Sequence, residues 1–369
     1  MAVTIIKEPQ GSVLNAYNNS IIEFGVDAGT PVSALLDIDG NEFYLTPNAD
    51  GNFWFDMKPV VMALINEDMF SDTIEIPDNI TYCFEDESLY LEQEISIAVT
   101  LDDTSEVTLD RTYTYLKSVI QQIRPIYAQS DLLRVLLPSF DNQKHVSYFE
   151  GYPFDVSIYS NAARTVTITN LRTSGTVDVD LVKGINRLFL SNGENDNGGF
   201  EGDLPLSLGK NQLEIDINGT DKVYLTVDKK PVGCGPLLKW FNQSGGWSYW
   251  RLLEPIKENE KAKSLDTINK DFYNIEEGVS GMAQSGKEAE DSRYGYTGKM
   301  DDNERLVVKE LFKSPKVYYY ANDPLEPFAI TDWKEVSVTD GSKTTKKPRS
   351  LHHEYTVEIE MPQIYTQTL

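Results

Sequence analysis

Alternation of apolar and polar residues runs through most of the first 230 positions and predicts strands. Val32-Ser-Ala-Leu-Leu-Asp-Ile-Asp-Gly-Asn-Glu-Phe-Tyr-Leu45 reads as two strands around an Asp39-Gly40 turn, the strongest short hairpin signal. Asp50-Gly51-Asn52 marks a turn before Phe53-Trp-Phe55, and Lys58-Pro59 opens a short helix with Val60, Val61, Leu64 and Ile65 on one face. Tyr90–Leu101 and Arg111–Leu116 resume the strand pattern. Six further strand candidates follow: 152–159, 165–169, 175–181, 185–190, 212–217 and 222–227, with Gly, Asn and Asp between them.

Pro231-Val-Gly-Cys-Gly-Pro236 breaks this pattern and marks a boundary. After it come an aromatic stretch and then about forty polar, weakly periodic residues, Lys257–Tyr296, longer than an ordinary connection. Asp301-Asp302 predicts a helix N-terminus, Val307, Val308, Leu311 and Phe312 its apolar face, and Ser314-Pro315 its stop. Strands are expected at 316–320, 328–331, 335–338 and 355–360.

The pattern gives a mainly β chain with an α+β C-terminal domain. Two tandem N-terminal β-sandwich domains, 1–126 (with one short helix) and 127–230, precede a β-barrel or sandwich-plus-helix domain, 231–369, that carries the 257–296 insertion.

Charge changes the functional reading. The 369 residues hold 33 Lys+Arg and 58 Asp+Glu, a formal net charge of −25. Eighteen basic and 22 acidic residues fall from Pro231 onward, leaving 15 and 36 for the first 230. Such a front part repels nucleic acid and anionic membranes, whereas near-neutral surfaces associate more readily. No apolar run is long enough for a membrane helix, and the first residues do not read as a secretion signal.

Candidate chemistry is sparse. Cys83 and Cys234 are expected to be free thiols, and the three histidines, His145, His352 and His353, supply little for general-base or metal work. Asp37–Glu42 superficially resembles a calcium loop, but its glycine comes too early, so a plain hairpin is expected. The 192–199 loop, rich in oxygen ligands, reads as a solvated turn. The basic run 346–349 beside His352-His353 suits an acidic neighbouring subunit. No GxSxG, HExxH, Walker A or GxGxxG pattern occurs. No metal or cofactor is expected, and the chain reads as a non-enzyme.

The distinctive feature is Leu237-Leu-Lys-Trp-Phe-Asn-Gln-Ser-Gly-Gly-Trp-Ser-Tyr-Trp250. Trp240, Trp247, Tyr249 and Trp250 can stack on sugars, or can anchor a core or an interface; the second reading is preferred. This stretch resembles a motif of virion proteins from tailed phages and prophages of Bacteroidota hosts. The 304–320 segment and Glu326-Pro-Phe-Ala-Ile-Thr-Asp332 resemble their tail-tip and baseplate components. The resemblance implies a structural tail or baseplate protein, assembled in the host cytoplasm into a ring with copies of itself and other tail proteins. It implies no contact with nucleic acid and no membrane insertion. A receptor- or glycan-binding module at the tail tip, touching a host-surface glycan, is the alternative. The 257–296 segment is then expected to be an assembly arm, poorly ordered until docked, with Phe272, Tyr273, Ile275 and Met282 as anchors.

Overall fold

A computed structural model describes residues 1–67, 70–72, 74, 82–120, 132–139, 144–193, 200–269, 276, 282–320, 333–339 and 352–362. The chain divides into two compact units, 1–230 with 242–247, and 231–241 with 248–369.

The first unit holds two β-sandwiches. In the first are β1 (Val3–Lys7), β2 (Leu14–Asn15), β3 (Ile21–Val26), β4 (Pro31–Ile38), β5 (Asn41–Leu45) and β6 (Phe53–Asp56). Helix α1 (Lys58–Ile65) follows, then β7 (Cys83–Glu85), β8 (Tyr90–Leu101) and β9 (Glu106–Leu116). Sheet β1-β3-β6 faces sheet β2-β9-β8-β4-β5. Ile22, Phe24, Leu36, Ile38, Phe53, Ile95, Ile97 and Val99 are wholly buried between them, and α1 adds Val61 and Ile65. Asp39 and Gly40 both have positive φ, 51° and 76°, as a two-residue hairpin turn requires.

The second sandwich comprises β10 (Leu133–Val135), β11 (Lys144–Phe149), β12 (Pro153–Ser160), β13 (Arg164–Asn170), β14 (Gly175–Leu181) and β15 (Gly184–Asn192). One helical turn, α2 (Phe200–Asp203), precedes β16 (Gly209–Asp216) and β17 (Lys222–Lys230). Its sheets are β10-β12-β15-β7 and β11-β17-β16-β13-β14. Strand β7 comes from the first segment yet pairs with β15, Cys83 opposite Leu188 and Glu85 opposite Asn186. The first segment therefore contributes a strand to the second sandwich across the 126/127 boundary read from sequence, and both sandwiches lie in one unit.

Among its described residues the second unit has a seven-stranded sheet and one α-helix. Its strands are β18 (Leu237–Phe241), β19 (Trp247–Arg251, whose first residue belongs to the first unit), β20 (Leu253–Ser264), β23 (Lys287–Tyr296), β24 (Val317–Tyr320), β25 (Lys334–Val338) and β26 (Thr356–Glu360), in the order β19-β18-β24-β25-β26-β23-β20. Two short strands, β21 (Thr267–Asn269) and β22 (Met282–Gln284), pair with each other. Helix α3 (Asp302–Val308) starts on a capping box in which Asp301 accepts from the Glu304 N–H and Glu304 from the Asp301 N–H. The strand expected at 328–331 lies outside the described residues.

Cys83 and Cys234 are free. Burial, aided by Asp180, pushes the Cys83 thiol up to about 12, while Cys234 is exposed. At pH 8 iodoacetamide should label Cys234 promptly and Cys83 only after denaturation, because the thiolate is the nucleophile. Equal labelling rates, read by mass spectrometry, would refute this.

Candidate functional site

Strands β12 and β15 are buried along their whole length, on both faces. One face carries a polar arrangement rather than an apolar core. Asp155 and Ser157 on β12 and Arg187 on β15 lie there, with Ser157 directly opposite Arg187. Arg187 is 1% exposed and grips Asp155 with both ends of its fork, Nε to Oδ2 at 3.0 Å and NH2 to Oδ1 at 2.8 Å. Its NH1 lies 2.6 Å from Asp72 and 3.7 Å from Asp86. One guanidinium thus joins three buried carboxylates, two of them from the chain before β8. Lys117, also buried, holds its ammonium 4.1 Å from the Phe70 ring centre.

Burial raises the Asp86 carboxyl above its usual range. Arg187 and a 2.7 Å bond from Ser88 oppose the rise, and Asp72 and Asp155 add to it. The folded protein therefore holds a proton on Asp86 at pH values where the unfolded chain has released it. Its contribution to stability is full below the ordinary aspartate pKa and fades as pH rises through the raised value. Asp86→Asn should flatten this part of the stability profile above pH 4. Urea denaturation of both proteins across that range checks it, and parallel profiles would refute it.

Trp247 of the aromatic motif closes over this polar face. Trp247 is 1% exposed, stacks on Phe70 at 5.7 Å and 17°, and lies under the Arg187 guanidinium at 5.5 Å. Its backbone N–H donates to Ser157 Oγ at 3.3 Å. The residues before it shape the turn. Asn242 Oδ1 accepts from the N–H groups of Ser244 and Gly246, at 2.8 and 3.3 Å, while its Nδ2 donates to the Leu136 carbonyl at 3.0 Å. Gly245 has φ +90°, and a Cβ on Gly246 would sit 2.8 Å from both the Leu136 carbonyl oxygen and Ser157 Cβ. Each of the Asn, Gly, Gly and Trp positions is thus required by packing within the first unit.

The other three aromatics fill the second unit. Trp240 is wholly buried, and Trp250 donates its indole N–H to the Thr297 carbonyl at 2.9 Å. Tyr249 packs on Trp333 at 5.9 Å, and Tyr320 does so at 5.1 Å. Lys239 holds its ammonium 4.2 Å from the Trp333 ring centre and 4.9 Å from that of Tyr318. The structure therefore divides the four predicted residues, Trp247 in one unit and Trp240, Tyr249 and Trp250 in the other. None of the four presents a ring to solvent.

The 257–296 segment, read from sequence as an arm poorly ordered until docked, carries strand pairing at its described ends. Its described ends form the antiparallel ribbon β20–β23, running from Lys257 opposite Tyr294 to Ser264 opposite Lys287. Charged residues occupy both faces, so no apolar alternation announces the strands. Strand β26 pairs with β23 only at 292–296, and from 287 to 291 β20 is the partner of β23. The base is pinned by buried Arg293, which donates to Tyr319 Oη at 2.9 Å and approaches Asp291 and Glu258. Toward the other end Leu265, Ile268 and Met282 are 52%, 49% and 68% exposed. Phe272, Tyr273 and Ile275 lie outside the described residues.

Among the described residues no group of three or more His, Cys, Asp or Glu could hold a metal ion. No described helix is long and apolar enough to cross a membrane. His353 forms an isolated bridge with Met300, and Asp37–Glu42 is a plain hairpin in which Asp37 accepts the Gly40 N–H.

No protein-family model matches the chain, and no curated protein matches it. The solved structures to which it is similar are distant. Fibronectin(III)-like modules of CbhA from Clostridium thermocellum are 10% identical, with a TM-score of 0.19 over 62% of this chain and 94% of theirs. The titin fragment A168169 is 10% identical, TM-score 0.26, over 62% and 100%. A Ca2+-stabilised adhesin with which an Antarctic bacterium binds ice is 11% identical, TM-score 0.18, over 82% and 70%. Scores this low carry no argument about activity, ligand or partner, and the sandwich architecture rests on the sheets themselves.

Proposed function

We propose that this chain is a non-enzymatic structural subunit of a phage tail or baseplate, assembling with copies of itself into a symmetric ring. The observation that supports this most is the ribbon β20–β23. A two-stranded ribbon is marginal in water unless something covers it. This one is exposed over 260–269 and carries Leu265, Ile268 and Met282 outward at its far end. Docking those residues on a neighbouring copy gains roughly 25 cal/mol per Å² of apolar area removed from water. A contact of one patch with a different patch on the next copy closes into a ring when the rotation allows. The motif resemblance adds the tail setting.

Mass photometry and negative-stain microscopy of the full chain test the reading. A ring of defined copy number is expected, and the triple variant Leu265→Ser, Ile268→Ser, Met282→Ser should stay monomeric with an unchanged melting temperature. A wild-type chain that stays monomeric at high concentration would overturn it. So would a triple variant that assembles like wild type.

A further inference from the structure

The outward face of sheet β1-β3-β6 is not explained by assembly. Trp54, on edge strand β6, is 56% exposed, although the Trp motif residues are all buried. Cross-strand pairing puts Glu23 directly beside Trp54 and Lys7 beyond Glu23. One row thus runs indole, carboxylate, ammonium, over two inter-strand spacings of about 4.8 Å each. The adjoining position is Gly25. A Cβ there would lie 2.7 Å from Asn52 Oδ1 and 3.6 Å from Ile6 Cδ1. The Asn52 side chain therefore lies over Gly25, where a Cβ would push its amide aside. Ile6, itself 52% exposed, closes the far rim.

We infer that this face binds a neutral carbohydrate, with Trp54 as the stacking platform and Glu23 and Asn52 as hydrogen-bonding partners for the hydroxyls. The patch combines an exposed aromatic ring with a neighbouring carboxylate and amide. A pyranose has the matching surface, an apolar C–H face edged by hydroxyls that both donate and accept. Carboxylate and amide together serve both kinds of hydroxyl bond. The net charge of −25 disfavours an anionic ligand. This site is independent of ring assembly, since it uses none of the ribbon residues.

The test is 19F NMR of the full chain carrying 5-fluorotryptophan, which gives one signal for each of its five tryptophans. Trp54→Phe assigns the relevant one. Neutral oligomers of glucose, mannose and N-acetylglucosamine are titrated in turn. At least one series should shift the Trp54 signal saturably and leave the four others in place. Trp54→Ala should weaken binding roughly tenfold or more, the loss expected for a stacked ring. Gly25→Ala, which displaces Asn52 and spares the ring, should weaken it severalfold. No saturable shift with any series, or equal affinity in Trp54→Ala, would overturn the inference. A Trp54 signal that moves with protein concentration and not with sugar would assign the face to a protein contact and overturn it too. Rings that form normally in Trp54→Ala leave the assembly proposal standing whichever way the sugar titration falls.

Discussion

Arg187→Met should destabilise the first unit by about 3–5 kcal/mol, the cost of stranding buried charge. Methionine is shorter than arginine but unbranched and of similar volume, so the change is mainly one of charge. What is lost is the counter-charge. Asp155 is 0% exposed at its side chain and Asp72 is 2%, and both rely on the guanidinium at 2.8 and 2.6 Å. The rings of Phe189 and Trp247 also lose the cation above them, at 5.4 and 5.5 Å. Arg187→Lys keeps the charge but cannot reproduce the two-pronged grip on Asp155, so it should fall between wild type and Met. Urea denaturation provides the reading. Combining Arg187→Met with Asp155→Asn and Asp72→Asn should recover much of the loss, because the two carboxylates closest to the guanidinium are then uncharged and only Asp86, 3.7 Å away, keeps its carboxyl. A loss below about 1 kcal/mol for Arg187→Met, the level of a surface pair, would mean the cluster is solvated and the account is wrong.

Much of the fold can be read from local pattern. Tyr90–Leu101 alternates cleanly because β8 has one buried and one wet face, and Gly175–Leu181 is β14 to the residue. Asp39-Gly40 and the Asp301 cap are local signals with local causes. Three kinds of element escape such reading. Strand β7 is three residues long and is fixed by β15, about a hundred positions away. The Arg187 cluster draws on positions 72, 86, 155 and 187, and nothing in their spacing unites them. Strands β20 and β23 have charged residues on both faces, so they lack the alternation that marks a half-buried strand. The candidate residues divide the same way. The Trp-rich stretch stands out by composition, but its assignment to cores depends on partners such as Phe70, Ser157 and Thr297 that no local pattern connects to it. Trp54 sits in an ordinary-looking Phe-Trp-Phe strand, and only the pairing of β6 with β3 turns it outward beside Glu23.

Trp247→Ala should cost about 3–5 kcal/mol, the range for removing a large buried aromatic. The site cannot collapse easily. Its ring lies between Phe70 on one side and Arg187 on another, and Arg187 is held in place by three carboxylates. The turn below is held by Asn242, bonded at once to Leu136, Ser244 and Gly246. A cavity left by the indole would admit water to Arg187 and Asp155, weakening an ion cluster whose strength depends on a dry setting. Gly246→Val should be comparably harmful by the opposite route, forcing a side chain toward a carbonyl oxygen 2.8 Å from the first added carbon. Trp54→Ala is the internal control, an equally large truncation at an exposed ring, and should change stability by less than about 1 kcal/mol. Chemical denaturation of the three variants by far-ultraviolet circular dichroism separates them without relying on tryptophan emission. If Trp247→Ala proves no more harmful than Trp54→Ala, the ring does not close the polar face, and the packing role assigned to the whole Asn-Gly-Gly-Trp turn fails with it.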